Sequence, residues 1–297
     1  MKSLNEVIEM AKMKGRKRVA VVGAEDVESL KAVYMAHDAG FAEPVLVGDP
    51  QKIKESIAQA GLQDRDFSIV SAVSSTDAAE KGVRLVSSKS ADVLMKGYIK
   101  TSELLKAVLN KEWGLRTGSV LSHVAVAETP ALSKLILITD GGMLVRPTLD
   151  EKVAMINNSV AIAASLEIKN PKVAVIAAVE VVNPDMPETL DAAILTQMNK
   201  RGQIKNCLVD GPLGLDNALS LMAAKIKHIE GDVAGQADIL VVPDIHSGNF
   251  LGKSAIYLAG GKIAGIIAGA KAPIVIISRA DEADSKLCSL ALGVLNS

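Results

Sequence analysis

The 297-residue sequence predicts an α/β protein of two domains, each with a mainly parallel sheet flanked by helices. Three observations lead there. Short Val- and Ile-rich runs alternate with amphipathic stretches of about ten to fifteen residues, the rhythm of βαβ units. The runs break off abruptly in glycine, carboxylate or hydroxyl residues, as strands buried on both faces do. The chain is 49% apolar yet holds one Trp, three Tyr and three Phe, so its core is built of Val, Ile, Leu and Ala.

Ser3 and Glu6 have capping-box spacing, and Leu4, Val7, Ile8 and Ala11 then share one face of a helix. Arg18–Val22 reads as a strand, Val27–Ala39 as a helix stopped by Gly40, and Val45–Val47 as the next strand. Pro50–Ala60 is a helix ended by Gly61, followed by a strand near Phe67–Val70, a helix over Thr76–Val86 and a strand over Asp92–Met95. Lys96-Gly97 closes that strand, and Thr101 caps a helix running to Asn110. Ser122–Val126 and Leu135–Ile138 read as strands, and Thr148 or Asp150 starts a long helix broken by Asn170-Pro171. The rhythm then repeats: strand Lys172–Ala178, helix Pro187–Lys200, strand Cys207–Val209, helix Asn217–Lys227, strand Ile239–Val242, strand Ile274–Ile277 and a last helix over Glu282–Val294.

Strands and glycines replace the helical rhythm near residues 125–130 and 262–270, where the chain is expected to cross between domains. The first domain would then be discontinuous, residues 1–126 and 265–297, and the second 127–264, with a ligand cleft between them.

Net charge is −1, and the one basic cluster, Lys14–Arg18, leads straight into a strand. A groove binder spreads its cations over a face, so no nucleic-acid partner is expected. Cys207 and Cys288 lack any pairing or zinc spacing and sit in apolar surroundings, which suits buried thiols in a reducing compartment. No signal-peptide h-region and no run near the ~18 apolar residues of a membrane span occurs, so a cytoplasmic protein is expected.

The chemistry gathers where the runs end: Lys96-Gly97, Arg116, Thr139-Asp140-Gly141-Gly142, Asp210-Gly211-Pro212, Asp244 with Gly248-Asn249, and Ser278-Arg279. In open α/β sheets ligands bind beyond the carboxyl ends of the strands. Each such loop also suits an ordinary turn or cap, Asp140 before two glycines above all; together they suggest a polar cleft. The chain has no P-loop, HExxH, CxxC, GxSxG or GxGxxG pattern. His123 and His246 stand without a paired carboxylate or cysteine and read as packing or hydrogen-bonding residues.

Six stretches, LMKGYIKTSELLKAVL (94–109), GLRTGSVLSHVAV (114–126), TDGGM (139–143), DGPLGLDNA (210–218), ADILVVPDIHSGNFLGKS (237–254) and ISRADEADSKL (277–287), carry a resemblance covering nearly the whole chain. It resembles the phosphate acetyl/butyryltransferases, the shorter butyryltransferase branch in particular. The resemblance implies two α/β domains of the isocitrate/isopropylmalate dehydrogenase-like fold and a homodimer or higher homo-oligomer. It also implies the reversible reaction acyl-CoA + phosphate ⇌ acyl phosphate + CoA, with coenzyme A as substrate or product, no bound cofactor and no metal.

Acyl exchange between a thiol and phosphate needs an anion site, an oxyanion donor and help in deprotonating the thiol. Arg279 suits the anion through its bidentate fork, and Ser278 the carbonyl oxygen. Lys96 and Arg116 are further cations for phosphates. Gly97, Thr139, Asp140, Gly141, Asp244, Gly248 and Asn249 complete the expected binding set. The base of the acetyltransferase branch falls, by ungapped spacing, on Ser285, a departure that leaves Asp284 first, Asp281 second and a substrate-side proton acceptor third. Two rivals remain. One is an NAD- and metal-dependent decarboxylating dehydrogenase drawing on Asp210, Asp216, Asp232, Asp238 and Asp244; the other is a non-catalytic regulator that binds acyl-CoA or phosphate.

Overall fold

Complete burial of the strand runs fixes the architecture: Val19, Ala20, Val21 and Val22 are all inaccessible, as in a strand covered on both faces. The computed structural model describes residues 1–276 and 282–297. In chain order its elements are α1 (Leu4–Lys14), β1 (Lys17–Val22), α2 (Val27–Asp38), β2 (Ala42–Gly48), α3 (Pro50–Gln59), β3 (Ser68–Ser71), α4 (Ser75–Ser87), β4 (Val93–Lys96) and α5 (Thr101–Val108). There follow β5 (Ser122–Glu128), β6 (Ile136–Thr139), α6 (Leu149–Ser165), β7 (Lys172–Ile176), α7 (Pro187–Lys200), β8 (Leu208–Leu213), α8 (Leu215–Leu219) and α9 (Leu221–Ile226). The last are β9 (Ile239–Val241), α10 (Ile245–Tyr257), β10 (Lys262–Ala268), β11 (Ile274–Val275) and α11 (Ala283–Leu295).

The chain divides into two units, a first of Leu4–Ser119 and Ala264–Ser297 and a second of Met1–Ser3 and Val120–Ile263. The first crossing comes at Val120, ahead of the expected residue 126, because β5 is one unbroken strand paired to β6 within the second unit.

In the first unit the strand order is β3-β2-β1-β4-β11-β10, parallel except for β10 against β11. Registers Val22↔Val47, Val22↔Lys96 and Val275↔Met95 bring the carboxyl ends of β1, β2, β4 and β11 to one level. Helices start where the sequence supplies an acceptor: Asp26 caps α2, Asp49 caps α3 ahead of Pro50, and Ser74 caps α4. The last helix, α11, is buried at every position from Lys286 to Leu295, as its apolar composition on all sides requires.

In the second unit the order is β5-β6-β9-β7-β8, parallel except for β5 against β6. Its core joins Ile136, Ile138, Leu213, Leu240 and Val242 with alanines. Thr148 and Glu151 form a full capping box at the start of α6.

Four expectations change. The single helix over 217–227 is two, α8 and α9, because Ser220 is extended (φ −120°, ψ 114°) and its hydroxyl accepts from Ala223 N–H. Residues 247–249 belong to α10, whose cap is Asp244, instead of a loop after the strand. Asp210, Gly211 and Pro212 lie inside β8, which continues to Leu213. Thr101 is the first residue of α5, preceded by Lys100, which makes no side-chain cap. No helix among the described residues is long and apolar enough to cross a membrane.

Candidate functional site

The second unit builds its polar end out of main chain. β6 ends at Thr139, fully buried, and its hydroxyl has no hydrogen-bond partner among the described residues. Asp140 follows, 1% exposed, and its carboxylate serves its own backbone: Oδ2 accepts from His123 N–H (2.7 Å), Oδ1 from Gly142 N–H and Met143 N–H (both 2.7 Å). The Asp-Gly-Gly turn is thereby held rigid, and the carboxylate is spent on the fold.

Against this turn lies the first turn of α10. A Cβ on Gly248 would stand 2.4 Å from Asp140 O, and one on Gly141 2.8 Å from Gly248 C, so only glycine permits the approach. Asn249 Nδ2 donates to Gly141 O at 3.3 Å. Asp244 starts the helix by accepting from both the N–H and the hydroxyl of Ser247 at 2.8 Å; the N–H bond leads in holding its carboxyl below the usual range. Thr139, Asp140, Gly141, Asp244, Gly248 and Asn249 thus come together in one assembly.

His123 is half-buried beside Gly142, where an added Cβ would approach its Cγ to 3.2 Å, and its Nδ1 is enclosed without a hydrogen-bond partner among the described residues. Burial holds the imidazole below its ordinary range, against the pull of Asp140, so it is neutral at pH 7.

In the first unit Lys96 ends β4 nearly buried (7% exposed), with Nζ donating to Gly97 O at 3.2 Å. Gly97 presses on β1: its N–H donates to Val22 O (2.8 Å), and a Cβ there would stand 2.2 Å from Gly23 O. Arg116 is not at a strand end. It is an exposed loop residue that forms an isolated bridge with Ala270. Thr117 Oγ1 donating to Gly269 O (2.6 Å) and Lys271 N–H donating to Leu115 O (2.8 Å) complete that junction, so the Arg116 loop is pinned to the chain leading into β11. Asp284 is exposed in the first turn of α11. Ser278, Arg279 and Asp281 lie outside the described residues.

Three residues that sequence reading passed over hold the start of α11. Glu28 Oε2 accepts from Ala283 N–H (3.1 Å), and Lys286, 3% exposed, pairs with Asp26 at 3.2 Å. Burial pushes the Asp26 carboxyl up, but bonds from Ser29 and the Lys286 charge outweigh it and hold it below its ordinary value. A lysine among LCSLALGVL is the only trace of this in the sequence.

Two concavities lie apart from the clustered residues. One of about 490 Å³ is bordered by Glu25, Asp49, Ser74 and Tyr98 at the carboxyl ends of β1 to β4. The other, about 930 Å³, lies beside Asn170, Pro171 and Asn206 at the opposite, amino ends of β7 and β8, and no predicted site residue borders it.

A two-unit α/β chain with polar strand ends belongs to a broad class of small-molecule enzymes, and comparison with known proteins narrows it. The chain belongs to the phosphate acetyl/butaryl transferase family, whose model matches residues 3–80 and 66–294. That places it among acyltransferases. It is 48% identical over 294 residues to the phosphate butyryltransferase of Clostridium acetobutylicum, covering 99% of this chain and 98% of that one. It is 44% identical over 292 residues to the phosphate acetyltransferase of Thermotoga maritima, covering 98% and 99%. Among solved structures, a branched-chain phosphotransacylase from Enterococcus faecalis V583 superposes with a TM-score of 0.82 at 32% identity, over 94% of this chain and 98% of that one.

Proposed function

We propose that this chain catalyses the reversible transfer of a short-chain acyl group between coenzyme A and inorganic phosphate, with butyryl preferred. The observation that carries the reading is similarity at 48% identity to a phosphate butyryltransferase over 99% of this chain and 98% of that one. A phosphate oxygen attacks the thioester carbonyl, a tetrahedral oxyanion forms, and its collapse expels the CoA thiolate; the reverse direction needs the thiol deprotonated. Arg279 grips phosphate and Ser278 donates to the oxyanion in this reading, with Lys96 and Arg116 as supporting cations. Asp284 is the first choice of base, since its carboxylate is open to solvent at the start of α11; Asp281 is the second. Coenzyme A enters as substrate, with no resident cofactor. The kinship with isocitrate/isopropylmalate dehydrogenase-like folds, a homo-oligomeric assembly and a cytoplasmic setting belong to the same proposal.

The test is thiol release from butyryl-CoA and acetyl-CoA with and without phosphate, then incubation with 2-hydroxy acids, NAD and magnesium. Phosphate-dependent release, faster with butyryl-CoA, is expected. NADH formation without thiol release would replace the reading with the dehydrogenase, and CoA binding without turnover would replace it with a regulator.

A further inference from the structure

At the amino ends of β7 and β8, the hollow of about 930 Å³ is bordered by the last turns of α6 and by two loops, 167–171 and 203–206. Its floor is apolar. Val160, Ala161 and Ala164, three and four residues apart, share a face of α6, and Ile168 and Pro171 continue that surface past the helix end.

Both loops are held by their own backbone. α6 closes with Glu167 N–H donating to Ala164 O (3.0 Å) and Ile168 N–H to Ala163 O (2.9 Å). Asn199 Nδ2 donates to Ile204 O (3.1 Å) and Cys207 O (3.0 Å), and Leu208 N–H donating to Pro171 O (3.0 Å) joins one loop to the other. Five non-glycine residues among the described ones have φ in the left-handed region. Three of them, Glu167 (60°), Asn170 (48°) and Asn206 (61°), border this one hollow, so its rim is shaped by backbone that most side chains avoid. A fixed hollow of this size falls within the range of small-molecule sites, about 300–1,000 Å³.

The charge at the rim selects the ligand. Lys169 and Lys205 come from different loops, both are exposed, and neither forms an ion pair among the described residues. Glu167 is the one carboxylate among the bordering residues, and the amides of Asn170 and Asn206 add N–H donors. Two ammonium groups against one carboxylate, over an apolar floor, suit a molecule with an anionic head and an alkyl tail. A protein interface would have a core depleted in lysine and glutamate.

We infer that this hollow binds an alkyl carboxylate of intermediate length, with its chain on Val160, Ala161 and Ala164 and its head met by Lys169 and Lys205. The site is independent of the acyl-transfer reading. All of its residues lie in the second unit, at the end of the parallel strands away from the Asp140 turn. The floor spans about 6 Å of helix axis from Val160 to Ala164 and runs on to Pro171, so octanoate is a better probe than butyrate.

Calorimetric titration of butyrate, hexanoate and octanoate into the full chain tests this. Affinity should rise about 2- to 4-fold per added methylene as the chain covers the floor. Inorganic phosphate and 1-octanol, each offering half of the recognition, should bind on the order of 10-fold more weakly than octanoate. Lys169→Gln and Lys205→Gln should each weaken octanoate by about 1.5- to 5-fold, more at low salt, and Glu167→Gln should strengthen it by a similar factor. Ala164→Trp, at an exposed position where added bulk leaves the fold intact, should abolish binding. No detectable octanoate binding, affinity indifferent to chain length, equal affinity for 1-octanol, or binding unchanged in Ala164→Trp would overturn the assignment. So would light scattering that shows a smaller assembly for Ala164→Trp than for the wild type, because the hollow would then be filled by a second copy of the chain.

Discussion

Asp140→Asn is the sharpest probe of the main-chain turn. The wild-type carboxylate takes three backbone N–H groups at 2.7 Å in a place only 1% exposed. Asparagine has one oxygen, so its NH₂ must face either His123 N–H or the pair on Gly142 and Met143. The less costly rotamer turns it toward His123. That loses one charge-assisted bond of about 1.5–3 kcal/mol and leaves a buried donor unmet. The two surviving bonds lose their ionic character, about 1 kcal/mol each, for a total of about 3–5 kcal/mol. At roughly 2–4 °C per kcal/mol for a chain of this size, the melting temperature should fall by about 6–20 °C. Melting followed by circular dichroism, with urea unfolding beside it, measures this directly. A variant that melts within about 1 °C of wild type would show that the carboxylate does not hold the turn, and the account of the second unit's polar end would fail with it.

Gly248→Ala should stabilise an ordinary helix by about 1 kcal/mol, yet its Cβ would sit 2.4 Å from Asp140 O, so kcat/KM should fall on the order of 10–100-fold; Gly252→Ala, with 3.4 Å to Ile263 Cδ1, is the tolerated control. Arg279→Ala should raise KM for phosphate steeply, and an unaltered phosphate dependence would remove Arg279 from the site. Ser278→Ala should lower kcat by about 10- to 1000-fold if the hydroxyl holds the oxyanion, whereas full activity would remove Ser278 from the site. Asp26 is held below its ordinary carboxylate value in the fold, so its contribution is present above that value and lost as pH falls through the lowered one. Asp26→Asn should therefore flatten the acid limb of stability and leave neutral-to-alkaline pH dependence alone; an unchanged acid limb would refute the linkage.

The β/α rhythm was legible because buried strands and capped helices have local signatures. Asp49-Pro50, Ser74 and the Thr148–Glu151 box mark helix starts with residues whose acceptor oxygens are needed only there. Family membership was legible from six ordered stretches. What stayed hidden depends on distant partners. Nothing local says that Asp140 accepts from His123, seventeen residues earlier, or that Lys286 in an apolar helix pairs with Asp26. The break at Ser220 was missed because helical periodicity runs on either side of it, and the hydroxyl's choice of Ala223 N–H decides the geometry. α10 was read as loop because Ser-Gly-Asn is turn-like, although Asp244 three residues before Ser247 is a cap signal.

These positions sort by what their polar atoms already do. Asp140, Asp244, Asp26 and Glu28 each spend a carboxylate on backbone N–H groups or a buried ammonium, and Gly141 and Gly248 spend their missing side chains on clearance. Such groups have already given up to the fold much of the bonding that a substrate would use. Arg116, Lys253 and Asp284 are different: each is exposed, and none forms an ion pair among the described residues. A charge that the fold does not use costs little to keep solvated and becomes valuable only when an oppositely charged ligand or a proton arrives. On that physical ground the substrate contacts of this acyltransferase are to be sought among its unspent charges, Asp284 among them, while Asp140 and Asp244 hold the scaffold.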